Sequence, residues 1–104
     1  MNTKTAIVTG ASSGIGRACA QALVADGWQV AFVGRRAEAL AESVQSSADP
    51  QRALAVPADV GDPTAVAALF ETVKTRFGRL DLLFNNAGVS SMSALLEDLP
   101  FDQW

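Results

Sequence analysis

A doubly wound α/β fold on a parallel sheet is the architecture this sequence predicts, and three observations predict it. Four short apolar runs alternate with longer segments of helical period. The runs are near-continuously apolar, as suits strands covered on both faces, rather than strictly alternating. The first run passes into its helix through a glycine-rich turn, residues 9–16. The resulting order is β-α-β-α-β-α-β, in which each parallel pair needs a right-handed crossover and the helices cover the sheet faces.

The first strand is Thr5-Ala6-Ile7-Val8. Ile15, Cys19, Ala22 and Leu23 follow at helical spacing, and Gly27 supplies a stop. Val30-Ala31-Phe32-Val33 is the second strand. Ala37, Leu40, Ala41 and Val44 suggest a second helix, which ends in the polar run Ser46-Ser47-Ala48-Asp49-Pro50. Ala53-Leu54-Ala55-Val56 is the third strand. Its helix has the clearest punctuation: Asp62 suits the N-cap and Pro63 the first helical position. Val66, Leu69, Phe70, Val73 and Phe77 mark one apolar face of that helix, and Gly78 closes it. Leu80-Asp81-Leu82-Leu83-Phe84 is the fourth strand. Leu99-Pro100-Phe101-Asp102-Gln103-Trp104 reads as the opening of a fourth helix, with Pro100 at its start and Trp104 beginning its apolar face. The sequence stops inside that element, so residues 1–104 read as the N-terminal portion of a truncated domain.

Composition narrows the function classes. A chain of 104 residues that is 49% hydrophobic and 18% charged is expected to form one globular domain rather than a disordered segment. A net charge of −3, without a basic cluster, gives no footprint for nucleic acid. The longest apolar stretches fall far short of a membrane span, and the apolar segment after Met1-Asn2-Thr3-Lys4 is too short for a signal peptide. A cytoplasmic location is expected. The single Cys19 cannot form an internal disulfide, which fits a reducing compartment. The chain has no histidine and no tyrosine. Ser-His-Asp hydrolysis, His-bearing metal sites and a phenol proton donor are therefore excluded on this polypeptide alone.

The turn Thr9-Gly10-Ala11-Ser12-Ser13-Gly14-Ile15-Gly16 carries the strongest functional signal. Gly10 permits a tight turn out of the strand, Gly14 lets backbone approach a phosphate, and Gly16 allows close packing of helix on strand. Free N–H groups around Ile15 at the helix start, together with the helix dipole, favour a diphosphate anion. Ser12 and Ser13 offer hydroxyl donors. A tight turn without ligand would use the same glycines; the strand before and the helix after favour the dinucleotide reading. The spacing is not Gly-x-Gly-x-x-Gly, and the terminal Gly-Lys-Ser/Thr of a P-loop is absent, which disfavours an NTPase.

The other strand ends add candidates. In a dinucleotide fold an acidic residue about 20 positions past the glycines often binds the adenosine ribose. Here the second strand ends Val33-Gly34-Arg35-Arg36, with Gly34 in the acidic place. Arginine there can pair with a 2′-phosphate, which favours NADP over NAD, and Arg35 is preferred to Arg36 as nearer the strand tip. A solvated basic helix start is the plainer reading of the same residues. Asp59, beside Val60, can accept from an adenine amino group or be an ordinary loop aspartate. Asn85-Asn86-Ala87-Gly88 lies where carboxyl ends of parallel strands line a ligand crevice, although Asn and Gly also favour plain turns.

Taken in order and at these separations, Thr9-Gly10-x-x-x-Gly14-x-Gly16, Asp59 and Asn85-Asn86-Ala87-Gly88 resemble three motifs of the classical short-chain dehydrogenase/reductase family, and the likeness covers essentially the whole chain. The resemblance implies a Rossmann-type sheet of strand order 3-2-1-4 and reversible hydride transfer between a nicotinamide cofactor and a carbonyl or alcohol. It implies that Asp59 and Val60 contact adenine, that Asn86 with Ala87 and Gly88 braces the sheet beside the cofactor, and that Arg35 matches a basic position of NADP-preferring members. Ser13 stands where some of those members carry a second basic residue. The family's Tyr-x-x-x-Lys motif has no counterpart in this chain, so no catalytic residue is assigned, and Ser90, Ser91 and Ser93 are not taken as the catalytic serine. Dimers or tetramers of the full-length protein are a further implication. The competing reading is a non-catalytic dinucleotide-binding or sensor module. A methyltransferase of similar fold fits Arg35 and the Asn-Asn-Ala-Gly run less well. Without a fifth strand, the Leu82-Leu83-Phe84 edge would be exposed, and poor stability and no carbonyl reductase activity are expected of the chain alone.

Overall fold

The computed structural model describes residues 3–85. Among them the chain runs β1 (Thr5–Thr9), α1 (Gly14–Ala25), β2 (Gln29–Gly34), α2 (Ala37–Gln45), a 3-10 turn (Pro50–Arg52), β3 (Ala53–Pro57), α3 (Pro63–Phe77) and β4 (Leu82–Phe84). The strands form one parallel sheet in the order β3-β2-β1-β4. In register, Ala6 lies between Val30 and Leu82, and Val30 pairs onward with Ala53. The chain crosses from β3 at one edge to β4 at the other, so the order reverses beside β1. The carboxyl ends of all four strands gather there at one end of the sheet. The expected doubly wound sheet and its 3-2-1-4 order are therefore observed. The residues expected to open a fourth helix, 99–104, lie outside the described residues.

All five residues of β1 are buried, which is why its sequence shows no alternation. One face of the sheet packs Ala6, Val8, Val30 and Phe32 against Ala20 and Val24 of α1 and Leu40 and Val44 of α2. The other packs Ile7, Ala31 and Val33 against Val66, Leu69, Phe70 and Val73 of α3. Among the described residues no helix is long and apolar enough to cross a membrane.

Two helices follow their apolar periodicity only in part, with Leu40 and Val44 of α2 buried as spaced and other periodic positions exposed. In α1 the buried residues are Gly16, Ala20 and Val24, whereas Ile15 is 72% exposed and Ala22 lies in solvent. Gly16 adds nothing to hydropathy, yet it faces the sheet. In α2, Ala37 and Ala41 are exposed, while Ser43, and Ser47 just past the helix, are buried alongside Leu40 and Val44. Ser43 Oγ donates to the Ala39 carbonyl at 3.1 Å, and Ser47 Oγ donates to that of Val44, so both hydroxyls enter the core satisfied. In α3 the expected punctuation is in place. Asp62 Oδ1 accepts from Thr64 N–H at 3.0 Å, Pro63 opens the helix, and Gly78 ends it at φ 79°.

Two polar clamps brace the opposite end of the sheet. Arg52 donates to Asp49 Oδ2 at 2.6 Å and to the Val24 carbonyl at 2.7 Å, joining the 3-10 turn to the last turn of α1. β4 starts at Leu82 rather than Leu80, because Asp81 serves as an anchor just before it. Its Oδ2 accepts the Thr5 N–H at 2.8 Å, and its own N–H donates to the Thr5 carbonyl at 2.9 Å. Arg79 grips the same carboxylate through two bonds of 2.8 and 2.6 Å. Those bonds, reinforced by the Thr5 amide, hold the Asp81 carboxyl below the usual carboxylate range against the opposing pull of burial.

Candidate functional site

The glycine turn is shaped by backbone conformations that side chains resist. Gly10 leaves β1 at φ 64° and Gly14 opens α1 at φ 60°, both left-handed. A Cβ built on Gly14 would meet nothing within 4 Å, so open space lies in front of the helix start. Ser13 is the N-cap in extended conformation, but its side chain makes no capping bond. The first helical bond runs from Arg17 N–H to the Ser13 carbonyl at 3.3 Å. The N–H groups of Gly14, Ile15 and Gly16 precede it, and among the described residues no side chain caps them. No acid stands in the first turn. An uncapped helix start of this kind attracts an anion.

Backbone bonds fix where the turn lies relative to the other strand tips. Ala11, fully buried, donates its N–H to the Val33 carbonyl at 3.0 Å, and Ala58 N–H donates to the Gly34 carbonyl at 2.8 Å. The tips of β1, β2 and β3 therefore enclose one cleft of about 320 Å³. Gly10, Ser12 and Ser13 form one wall; Gly34, Arg35 and Arg36 form the second; Ala58 and Val60 form the third. Arg35 and Arg36 are exposed, and neither makes an ion pair among the described residues. Among the described residues both cations thus stand unpaired beside the cleft.

Of the sequence-predicted residues, the structure brings Gly10, Ser12, Ser13, Arg35 and Val60 together on this cleft. Gly14 and Ile15 lie at the helix start beyond its lining, and Gly16 is buried behind them. Asp59 is exposed next to the lining, and its Oδ1 accepts the Gly61 N–H at 2.9 Å, the bond of an ordinary loop aspartate. Asn86, Ala87 and Gly88 lie outside the described residues. Arg36, which the sequence ranked behind Arg35, and Ala58, which it did not single out, join the lining; each adjoins a candidate residue, Arg35 and Asp59.

Thr9 lies behind the cleft rather than on its lining. It is fully buried, and its hydroxyl lies 3.2 Å from Asn85 Oδ1 and 3.4 Å from the Phe84 carbonyl, tying the tip of β1 to the end of β4. Its place as the first residue of the glycine motif was the only signal for it.

The family model described as short chain dehydrogenase matches residues 4–104. Human 15-hydroxyprostaglandin dehydrogenase [NAD(+)] is 43% identical over 94 residues, covering 88% of this chain and 35% of that protein. Among solved structures, a short chain dehydrogenase from Bacillus anthracis superposes with a TM-score of 0.77 at 34% identity, covering 82% of this chain and 34% of that one. The L-sorbose reductase of Gluconobacter frateurii, complexed with NADPH and L-sorbose, gives 0.75 at 38% identity, covering 85% and 34%. The chain thus spans about a third of the length of the curated relatives it matches.

Proposed function

Because the chain belongs to the short-chain dehydrogenase family, we propose that it forms the cofactor side of an NADP-preferring oxidoreductase acting on a carbonyl or alcohol. The observation that carries this reading is the cleft that joins the glycine turn to Arg35 and Arg36. A dinucleotide fits the described residues, among which the amides at Gly14 are uncapped and face open space for the diphosphate, and two cations stand unpaired beside a glycine at the ribose end. Relatives bear cofactors of both kinds, NAD(+) in the name of one and NADPH in the structure of another. The preference therefore rests on this chain's own Gly34 and Arg35.

When bound, the nicotinamide supplies the hydride donor or acceptor. The chain's residues bind and orient. The amides of Gly14, Ile15 and Gly16 hold the diphosphate, the hydroxyls of Ser12 and Ser13 add donors, and Arg35 pairs with the 2′-phosphate through charge-assisted bonds. Val60 and Asp59 flank the adenine, and Asn86, Ala87 and Gly88 are assigned to cofactor binding by the family motif they match. With no tyrosine in the sequence, these 104 residues provide binding without the proton transfer at the substrate oxygen. The full-length protein is proposed to be a cytoplasmic homo-oligomer.

Calorimetric titration with NADPH and NADH tests the reading. Tighter binding of NADPH, with the difference abolished in Arg35→Ala, is the expected result. Equal affinities, or no binding of either, would overturn it. Turnover of a carbonyl substrate by this chain alone would overturn the division between binding and chemistry.

A further inference from the structure

The two helices that begin at the cleft are joined by a polar node at their solvent side, centred on Ser46 just past α2. Its hydroxyl donates to the Glu42 carbonyl at 2.8 Å and accepts from Arg17 Nη2 at 3.1 Å and Gln21 Nε2 at 2.9 Å. One proton and two lone pairs are thus all engaged, which is the full capacity of a serine hydroxyl. Gln21 Nε2 also donates to the Ser43 carbonyl at 3.0 Å, so one α1 side chain holds two points of α2. Beneath the node, α1 and α2 share a single apolar core through Ala20, Val24, Leu40 and Val44. Apolar burial is non-directional and leaves two helices free to slide or roll by fractions of an ångström. Hydrogen bonds with fixed donors and acceptors do not.

We infer that Arg17, Gln21 and Ser46 form a latch that adds to the Ala11–Val33 backbone bond at the strand tips by restraining α1 against α2, and so the spacing between the two halves of the cofactor cleft, making them positioning residues for a ligand that bridges both. α1 begins at the glycine turn, and α2 begins immediately after Arg35 and Arg36. A ligand whose diphosphate lies on α1 and whose 2′-phosphate lies on the arginines must match the distance between the two helix starts. The latch holds that distance before binding, so the ligand does not bear the ordering cost. None of the three side chains lines the cleft. Arg17 is the instructive case: it is the cation in the first turn of α1, yet its head group bonds across to α2. The inference rests on the proposed dinucleotide reading.

The latch therefore affects bridging ligands alone, and that separates it from a general stabilising role. Binding of NADP+, of 2′-AMP and of inorganic pyrophosphate is measured by calorimetry on the wild type and on Gln21→Ala, Ser46→Ala and Ser46→Thr. Gln21→Ala and Ser46→Ala are expected to weaken NADP+ about two- to tenfold, the equivalent of one or two lost hydrogen bonds. Affinities for 2′-AMP and pyrophosphate, each of which touches one half, stay at wild-type values, and Ser46→Thr restores NADP+ binding by restoring the hydroxyl. Unchanged NADP+ binding in both alanine variants overturns the latch, as does equal weakening of all three ligands. Thermal unfolding of each variant shows whether the fold is retained; should Ser46→Ala unfold, Gln21→Ala decides, since it leaves the Ser46 cap on α2 intact. A wild type that binds no NADP+ would instead remove the dinucleotide reading itself.

Discussion

The backbone N–H of Ala11 donates to the carbonyl of Val33 at 3.0 Å, which fastens the turn leaving β1 to the end of β2. Gly34, the next residue, consequently lies against Ser12. A Cβ added to Gly34 would sit 3.5 Å from Ser12 Oγ and 3.4 Å from Leu40 Cδ2, ordinary packing distances. A Cβ at position 34 can therefore be accommodated, on a residue that lines the cleft between the glycine turn and Arg35.

Gly34→Asp is expected to move cofactor preference from NADPH toward NADH. The new carboxylate would accept from ribose hydroxyls and repel a 2′-phosphate, and charged hydrogen bonds of about 1.5–3 kcal/mol correspond to roughly a tenfold change or more. Stability should change little, because the added Cβ meets no forbidden contact. The ratio of dissociation constants for the two cofactors, with and without the substitution, measures the shift; an unchanged ratio would place the ribose elsewhere.

Gly14→Ala separates conformational from ligand effects. The left-handed backbone at φ 60° costs a non-glycine residue about 1–2 kcal/mol. No protein atom lies within 4 Å of the added methyl, so no steric loss adds to this. Urea denaturation should report only that modest decrease. Cofactor affinity should fall further than stability does, since the methyl occupies the space in front of the uncapped amides. A variant that loses stability but binds as the wild type would show that the diphosphate does not approach here.

The Asp81 anchor gives the fold an acid-sensitive joint. Its folded carboxyl titrates below the ordinary value, chiefly through the Arg79 hydrogen bonds. An acid with a depressed folded pKa contributes stability that is fully present above its unfolded pKa, about 3.9, and is lost as pH falls through the folded value. The stability difference between wild type and Asp81→Asn should thus be constant near neutrality and close as pH drops below about 4. Asp81→Ala should cost more, about 1–3 kcal/mol, because the buried Thr5 N–H loses its acceptor. Urea midpoints between neutral pH and pH 3 would measure both; a difference that widens on acidification would contradict the assignment.

What the sequence made legible and what it hid follow from the kinds of signal each feature leaves. Strands buried on both faces show as apolar runs, and positive-φ turns show as glycines, so the strands and the turn at residues 9–16 were readable, while the strand order came from the family resemblance. Asp62, Pro63 and Gly78 announced α3 through local capping chemistry. In α1 and α2 the signal was partial: Gly16, Leu40 and Val44 are buried as the turn and the spacing implied, whereas Ser43, and Ser47 just past α2, are buried despite their polarity because their hydroxyls bond to α2 carbonyls. Asp81 and Arg52 act on partners 76 and 28 residues away, Thr5 and Val24, and no local pattern encodes such pairs. At the cleft, Gly10, Ser12, Ser13, Arg35 and Val60, which the structure brings together, were singled out by residue type and place. Those that hold others in place, Thr9 and Ser46, were not.

Thr9→Val tests whether the tip of β1 positions the end of β4. Valine keeps the branched shape in a fully buried place and removes the hydroxyl that bonds to Asn85 Oδ1 at 3.2 Å and nears the Phe84 carbonyl at 3.4 Å. These are long hydrogen bonds, so their loss should cost only about 1 kcal/mol of stability. The consequence for binding should be larger in proportion, because Asn85 leads directly into residues 86–88, which are proposed to flank the cofactor. NADPH affinity is expected to fall several-fold in Thr9→Val and to return in Thr9→Ser, which restores a hydroxyl at the same carbon. Such recovery cannot come from packing, since serine fills the site less well than valine does. Equal affinity in wild type and Thr9→Val would confine Thr9 to joining two strands and leave the end of β4 to be positioned by its pairing with β1 alone.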